Sequence, residues 1–446
     1  MKVAFVLPGI GKKHNEKYLK SWLMEPLTIA VLNKILPKKY DRVFYDDRIE
    51  NIDFDTDADV ICITVETYTS KRAYEIADRF KKKNKIIIMG GYHATMVPED
   101  VRPHCDIIVH GNAEELFEQV FKDIEKKKYK KEYFGKTCLD YGIPDRSIYK
   151  DKMKKYLPIA LVETGRGCHH NCEFCSISAY YKGTYHHRKV EDIIEEIKQT
   201  KRKIVFFVDD SIFSDKKFAK ELFQEVAKLN IIWVTQVTLD VAVNQELLEL
   251  MKKSGCAMIL IGFESIDPKN LKQMNKEWNA KLGQRDELVE NIHKAGISIY
   301  ASFVFGFDYD TEESFAKNLE FCHKHKFFVS AFNHLLAFPN TNTYRRFEEE
   351  KRLISPKWWL EDNYTYGTIS YKPKLLTTDE LRELCREYKK KFFKISFIFT
   401  RWFALLKRNR NFMLHLVYWY MNILLHFEVD KRIGIPVGHN LDEVKK

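Results

Sequence analysis

Gly165-Arg166-Gly167-Cys168-His169-His170-Asn171-Cys172-Glu173-Phe174-Cys175 follows, one residue on, the apolar run Leu157–Glu163, and the reading of the whole chain turns on it. The two glycines free the backbone to turn as the strand ends, which leaves three thiols on one loop at the strand's carboxyl end. The chain has nine cysteines in all. Its start, Met1–Pro8, is too short an apolar run for a signal peptide and lacks a small-residue cleavage site. The expected compartment is therefore the reducing cytoplasm, where clustered cysteines bind metal or do chemistry more often than they pair.

Downstream of the loop, apolar runs alternate with helical patterns. Strands are expected at Lys203–Val208, Ile231–Gln236, Ala257–Ile261, Ile297–Phe305 and Phe328–Phe332, with helices at about 190–200, 216–229, 245–253 and 283–295. Together with Leu157–Glu163 this makes six strand-helix units, which suit a partial (β/α)6 barrel over 156–345. Upstream, strands at 2–7, 42–45, 59–63, 85–89 and 106–110 alternate with helices near 26–36, 70–82 and 113–126, the pattern of a doubly wound, Rossmann-like α/β domain over 1–130. The loops at its strand ends are Pro8–Gly11, Thr64–Thr67 and Gly90–Thr95. Between the two series, 131–155 reads as a linker rich in glycine, charge and tyrosine. Residues 346–446 read as a helical, aromatic-rich C-terminal region.

With 446 residues, 45% hydrophobic and 31% charged, the chain is a multidomain globular protein rather than a disordered one. A net charge of +11 is spread over lysine runs such as Lys81–Lys83 and Lys126–Lys128, which read as solvated helix ends. No basic block interleaved with aromatics of the kind that stacks bases stands out, except near the C-terminus, and no nucleic-acid partner is expected. The uncharged stretch Phe412–Phe427 is shorter than the ~20 residues of a spanning helix. It is either a buried helix or an interfacial one flanked by Arg401, Lys407, Arg408 and Arg410.

A structural zinc site wants four ligands, which His169, His170, His186 or His187 could complete. Three thiolates instead suit a [4Fe–4S] cubane with one iron left open, because clusters kept for electron transfer normally have four protein ligands. An open iron can chelate the amino and carboxylate groups of S-adenosylmethionine, and an electron delivered to the sulfonium yields a 5′-deoxyadenosyl radical. Phe174 would shield that site.

The C-x-x-x-C-x-x-C spacing with an aromatic before the last cysteine resembles the radical S-adenosylmethionine superfamily. The preceding doubly wound domain resembles its subclass with an N-terminal cobalamin-binding domain, and the likeness covers roughly residues 1–345. The resemblance implies that Gly90 and Gly91 let backbone approach the nucleotide tail of cobalamin. It further implies that Gly111 forms the next turn with Glu114 opening a helix, and that Asp209 and Asp210 end the second barrel strand beside the methionine part of the cofactor. Glu264 and Ser265 then lie near its ribose or amino group, and Gly306 near its adenine. Asp209 and Glu264 also read as helix caps, and Gly306 as a simple turn. No Asp-x-His-x-x-Gly appears: Asp46-Asp47-Arg48-Ile49 has no histidine, and His93 lacks the glycine spacing. A vacant lower face of the cobalt or a vestigial domain both fit that departure. Cys62, Cys105, Cys138, Cys256, Cys322 and Cys385 form no close cluster of the kind seen in methylthiotransferases that modify transfer RNA.

The implied activity is cobalamin-dependent methylation of an unactivated carbon in a lipid or natural-product substrate. The alternative is a non-methylating radical enzyme, a cyclase, dehydratase or carbon–carbon coupling catalyst. Cluster reduction calls for an electron donor such as flavodoxin or ferredoxin. The basic, aromatic stretch 391–427 implies peripheral contact with a membrane that presents the substrate.

Overall fold

Continuous apolar runs become the interior strands of two parallel sheets in the computed structural model, which describes residues 1–440. The first sheet is built from β1 (Lys2–Leu7), β2 (Asp41–Asp46), β3 (Val60–Thr64), β4 (Ile86–Gly90), β5 (Ile107–His110) and β6 (Glu132–Phe134), ordered β2-β1-β3-β4-β5-β6 with every neighbouring pair parallel. Its strands do not alternate apolar with polar because both faces are covered. Val3 and Phe5 pack with Ile29, Phe117 and Phe121 on one face. Ala4, Val6 and Ile61 pack with Ala73, Ala77 and Phe80 on the other. This unit comprises Met1–Leu161, Lys357–Tyr366 and a segment from Gly434 onward. Trp358 and Trp359 are buried in it; the Trp359 indole donates to Asp100 Oδ2 at 3.0 Å and meets the His93 ring at 5.5 Å.

Local chemistry sets the turns at the carboxyl edge of this sheet. Gly91 sits at φ +114° between β4 and the helix Tyr92–Met96, where a β-carbon would stand 2.9 Å from the Val65 carbonyl oxygen. Gly111 (φ +68°) brings its backbone against Gly135, whose carbonyl oxygen a β-carbon on Gly111 would approach to 2.4 Å. The helix expected from Ala113 begins only at Phe117, so Glu114 lies in the turn before it rather than opening it. β6 falls within the stretch that the sequence reads as linker, and its three residues are too few to show a period.

The second unit, Val162–Pro356 with Gly367–Ile433, holds the partial barrel. β7 (Ala160–Val162) leads into the short antiparallel pair β8 (Gly165–Gly167) and β9 (Tyr185–His187). Then follow β10 (Ile204–Phe207), β11 (Ile232–Val237), β12 (Cys256–Glu264), β13 (Ser298–Phe305) and β14 (Val329–His334), and the sheet order is β14-β13-β12-β11-β10-β7. From β10 to β14 each neighbouring pair is parallel, so strand ends that carry function share one rim. Helices Val190–Thr200 and Gln245–Lys253 match the sequence periodicity to the residue.

Replacing Gly91 by Ala should destabilise the first unit by about 3 kcal/mol, since its backbone conformation is open only to glycine and the space is filled by Val65. Denaturant unfolding of the variant beside the parent measures this; an unchanged midpoint would contradict the packing account.

Candidate active site

β7 ends at Val162, and the next residues are fixed before the cysteine loop begins. Asp209, fully buried just past β10, accepts the Thr164 backbone N–H on Oδ1 at 2.7 Å and the Thr164 hydroxyl on Oδ2. Burial pushes this carboxyl up to about 7, against the lowering effect of those donors. Asp209 is therefore a clamp between two strand ends and not a helix cap. Its neighbour Asp210 accepts the Gly167 N–H at 2.9 Å, and burial raises it to about 6. Both aspartates thus sit under the loop, one on each side of Gly165-Arg166. The glycines are needed here: a β-carbon on Gly165 would stand 2.4 Å from the Tyr185 hydroxyl oxygen.

The loop itself, Cys168 to Cys175, has little internal structure beyond the Cys175 N–H donating to the Cys172 carbonyl at 3.1 Å. Surrounding elements hold it. Glu173 donates its N–H to the Met274 carbonyl (3.1 Å) and accepts the Thr343 N–H (3.1 Å), while its carboxylate takes Arg346 Nε at 2.6 Å. Asn275 donates to the Asn171 carbonyl at 2.8 Å, Ser178 to that of His170 at 3.0 Å, and the His170 ring stacks on Trp278 at 4.0 Å. Arg346 is anchored in turn on Asp308, which also binds Arg352 and Lys374 at 2.7 and 2.8 Å.

All three thiols are partly buried. Desolvation pushes Cys172 up to about 12 and raises Cys168. Among the described residues no three His, Cys, Asp or Glu side chains converge on one metal ion. A cubane asks for something different, because its three thiolates bind separate irons at separate corners. The donor set of three half-buried thiols on one stapled loop fits it.

At the end of β12 the pairing with β13 shifts between Gly262 and Glu264, and Glu264 takes φ +59°. That bulge turns its carboxylate inward, where Lys276 Nζ meets it at 2.9 Å and also donates to the Gly262 carbonyl at 2.7 Å. Lys276 is buried, and its charge acts on Cys172 and Cys175. Glu264 is thus an ion-pair partner and not a helix cap. Ser265, also buried, accepts the Asp267 N–H at 3.1 Å. Phe174 packs edge-on against Phe307 at 5.8 Å, which joins the cysteine loop to the turn after β13. In that turn Gly306 (φ +105°) and Phe307 both donate backbone N–H groups to Asp310 Oδ2, at 2.9 and 3.0 Å, and Asn270 donates to Oδ1 at 2.7 Å. The structure therefore brings Phe174, Asp209, Asp210, Glu264, Ser265 and Gly306 to the strand-end rim that carries the three cysteines.

Sequence reasoning missed Lys276, Arg346 and Asp310. A lysine between Asn275 and Glu277 looks like any solvated charge, and Arg346 lies 173 residues from Glu173. Only the Gly306-to-Asp310 spacing, a turn followed by an acidic acceptor, held a local signal.

In the first unit, Gly90, Gly91, Gly111 and Glu114 lie at one edge of the parallel sheet. The strand-end loops there are knit by Val65 N–H to Gly90 O (2.8 Å), His93 N–H to Val65 O (3.0 Å) and Gly111 N–H to Thr95 Oγ1 (2.9 Å). Asp47 holds Gly9 N–H at 3.0 Å and is paired with the buried Arg72 at 2.8 Å. Such an edge is where open α/β sheets take ligands. No histidine serves it from His93, whose ring is fully buried between the Thr67 and Tyr74 hydroxyls at 3.3 and 3.1 Å and is lowered by burial to about 4. At Gly91 and Gly111 the space a β-carbon would fill is taken by the backbone of Val65 and Gly135.

Asp310 contributes stability that is complete below the ordinary carboxylate pKa and is lost as pH rises through its buried value of about 7. The Asp310→Asn variant, unable to ionise, should lose less stability than the parent between about pH 5 and about pH 8. Chemical unfolding at both pH values tests this; an equal loss in the two proteins would refute the assigned burial cost.

The radical SAM superfamily model matches residues 162–322, and the B12 binding domain model matches 25–121. The bacteriochlorophyllide d C-12(1)-methyltransferase of Chlorobaculum tepidum is 31% identical over 415 residues, covering 90% of this chain and 88% of that protein. The bacteriochlorophyllide d C-8(2)-methyltransferase of the same organism is 26% identical over 81% of this chain and 85% of its own length. Among solved structures, the cobalamin-dependent S-adenosylmethionine radical enzyme OxsB with aqua-cobalamin and S-adenosylmethionine bound shares the fold at a TM-score of 0.66 and 15% identity, over 96% of this chain and 72% of its own. With three cysteines on a stapled loop at a parallel-strand rim and a B12-type domain before it, the chain belongs to the radical SAM superfamily, as an enzyme of its cobalamin-dependent methyltransferase group that uses a [4Fe–4S] cluster, S-adenosylmethionine and cobalamin.

Proposed function

We propose that this enzyme methylates an sp3 carbon of a hydrophobic substrate of the tetrapyrrole class. The observation that carries the substrate class is the similarity, along nine-tenths of the chain, to a methyltransferase of bacteriochlorophyllide d. In this reading Cys168, Cys172 and Cys175 would hold a [4Fe–4S] cluster at which S-adenosylmethionine would bind. Such a cluster would supply one-electron reduction of S-adenosylmethionine, and cobalamin would supply methyl-carrier chemistry.

The chain's own residues position and shield. Asp209 and Thr164 fix the strand end from which the loop springs, and Asp210 fixes Gly167. Glu264, set in a left-handed bulge and paired with Lys276, would lie with Ser265 near the ribose or amino group of S-adenosylmethionine. Asp310 holds the Gly306–Phe307 backbone where the adenine would bind, and Phe174, packed on Phe307, would shield a bound cluster from water. Preorganised groups of this kind cost no reorganisation when the radical forms. Gly90, Gly91, Gly111 and Glu114 border the cobalamin edge. An electron donor such as flavodoxin or ferredoxin serves the cluster. The C-terminal region makes peripheral contact with a membrane; among the described residues no helix is long and apolar enough to cross one.

Anaerobically reconstituted enzyme given cobalamin, a reductant, S-adenosylmethionine and a bacteriochlorophyllide should form both S-adenosylhomocysteine and 5′-deoxyadenosine, with a product heavier by one methylene in mass spectrometry. Cys168→Ala, Cys172→Ala and Cys175→Ala should each bring deoxyadenosine to background. Deoxyadenosine without a methylated product would count for cyclisation, dehydration or carbon–carbon coupling instead.

A further inference from the structure

We propose that the outward face of the helices Ile395–Arg408 and Phe412–Arg432 docks on a bilayer bearing anionic lipid headgroups. This specifies the peripheral membrane contact named above and stands apart from the identity of the methyl acceptor. Each helix shows two faces of different character. On the first, Ile398, Arg401 and Leu405 are buried, while Phe399, Phe403 and Leu406, at the four- and three-residue spacing of a single helical stripe, are exposed. On the second, Leu414, Tyr418 and Asn422 are buried, and Phe412, Leu416 and Tyr420 are exposed at four-residue spacing. The two helices pack on each other through Phe399, Trp402 and Trp419, with ring centroids 4.8 Å apart for Phe399–Trp419 and 5.5 Å for Trp402–Trp419. Their exposed stripes therefore belong to one helix pair. Phe412 is 72% and Phe403 57% exposed, far more than isolated surface phenylalanines require.

Charge selects the occupant. From Ile395 to Phe427 the sequence contains Arg401, Lys407, Arg408 and Arg410 and no aspartate or glutamate. Lys394, Lys407 and Arg410 are exposed at the helix ends that frame the apolar stripes. A second copy of the chain would bring the same basic groups against themselves across a two-fold contact. A surface of anionic headgroups complements them, with aromatic rings entering the interface and lysine and arginine reaching the phosphates. The uncharged run ends at Phe427, before Glu428 and Asp430, and is too short to span, so the helix pair lies on the bilayer rather than through it.

Vesicle co-sedimentation of the full chain tests this, with phosphatidylcholine vesicles and with phosphatidylcholine–phosphatidylglycerol mixtures, at low and high salt. The chain should sediment with the mixed vesicles at low salt and much less with the neutral ones or at high salt. Phe403→Asp combined with Phe412→Asp should lower binding by about tenfold or more. Lys407→Gln combined with Arg410→Gln should remove the preference for phosphatidylglycerol. Both variants should keep parental formation of 5′-deoxyadenosine, which separates this surface from the active site. A chain that ignores both kinds of vesicle, or double variants that bind as the parent does, would overturn the proposal. So would a dimer in light scattering that Phe403→Asp with Phe412→Asp dissolves while no vesicle is bound.

Discussion

A loop that carries three thiols and almost no backbone structure of its own must have its polar groups satisfied from outside, and the barrel is arranged around that demand. Ordering each loop residue costs roughly 1–2 kcal/mol of conformational entropy, while one net hydrogen bond returns about 1 kcal/mol. No single contact can therefore fix Cys168–Cys175. The fold gathers several: Asp209 and Asp210 from the end of β10, Met274 and Asn275 from the segment after β12, and Thr343 and Arg346 from the helix Asn342–Glu349. Parallel strands make this economical, since all of those segments emerge on the same rim. The buried Asp308 cluster extends the same logic by holding Arg346 in place to reach Glu173.

The part of this design that is local in the chain is legible in the sequence. Cysteine spacing, glycines flanking a strand end and apolar runs of strand length all lie within a few residues, and the parallel sheets and cluster loop follow from them. The helices Val190–Thr200 and Gln245–Lys253 are legible because a buried stripe recurs at helical spacing between polar caps. What is hidden is the chemistry carried by long-range pairs. Arg346 and Glu173, or Lys276 and Glu264, are ordinary surface residue types until the fold buries them together. β6, β8 and β9, each of three residues, are too short to display a period. Asp209 illustrates the reverse case: its position at a strand end is visible, but that it faces Thr164 rather than a helix N-terminus is a tertiary fact.

The B12-type unit shows how a missing motif and a buried side chain agree. Asp-x-His-x-x-Gly is missing, and the histidines at this edge are engaged inside the fold: the two ring nitrogens of His93 by Thr67 and Tyr74, and His110 Nε2 by Glu132 at 3.0 Å. Burial keeps the His93 ring neutral and in place. The segment after β2 carries buried ion pairs: Arg48 with Asp46, and Arg72 with Asp47. Charges buried in pairs are costly to separate, so Asp46 and Asp47 are committed to Arg48 and Arg72.

The C-terminal helices look at first like a failed membrane span, and one residue explains why they are not. Arg401 is buried in a box of Phe392, Phe397 and Tyr418, with its guanidinium 4.0 Å from the Phe392 ring centre. It donates to the carbonyls of Phe392, Phe327 and Phe328 and to Asn422 Oδ1, while Asn422 donates back to Phe328. Desolvation lowers this group to about 10 while it stays paired with carbonyl dipoles. A buried arginine and asparagine tie one face of each helix to the barrel at β14, so neither helix can roll to hide its remaining aromatics. The outward stripe of phenylalanines is thus fixed in orientation by polar groups on the opposite side, and its exposure is a property of the folded chain rather than an accident of composition.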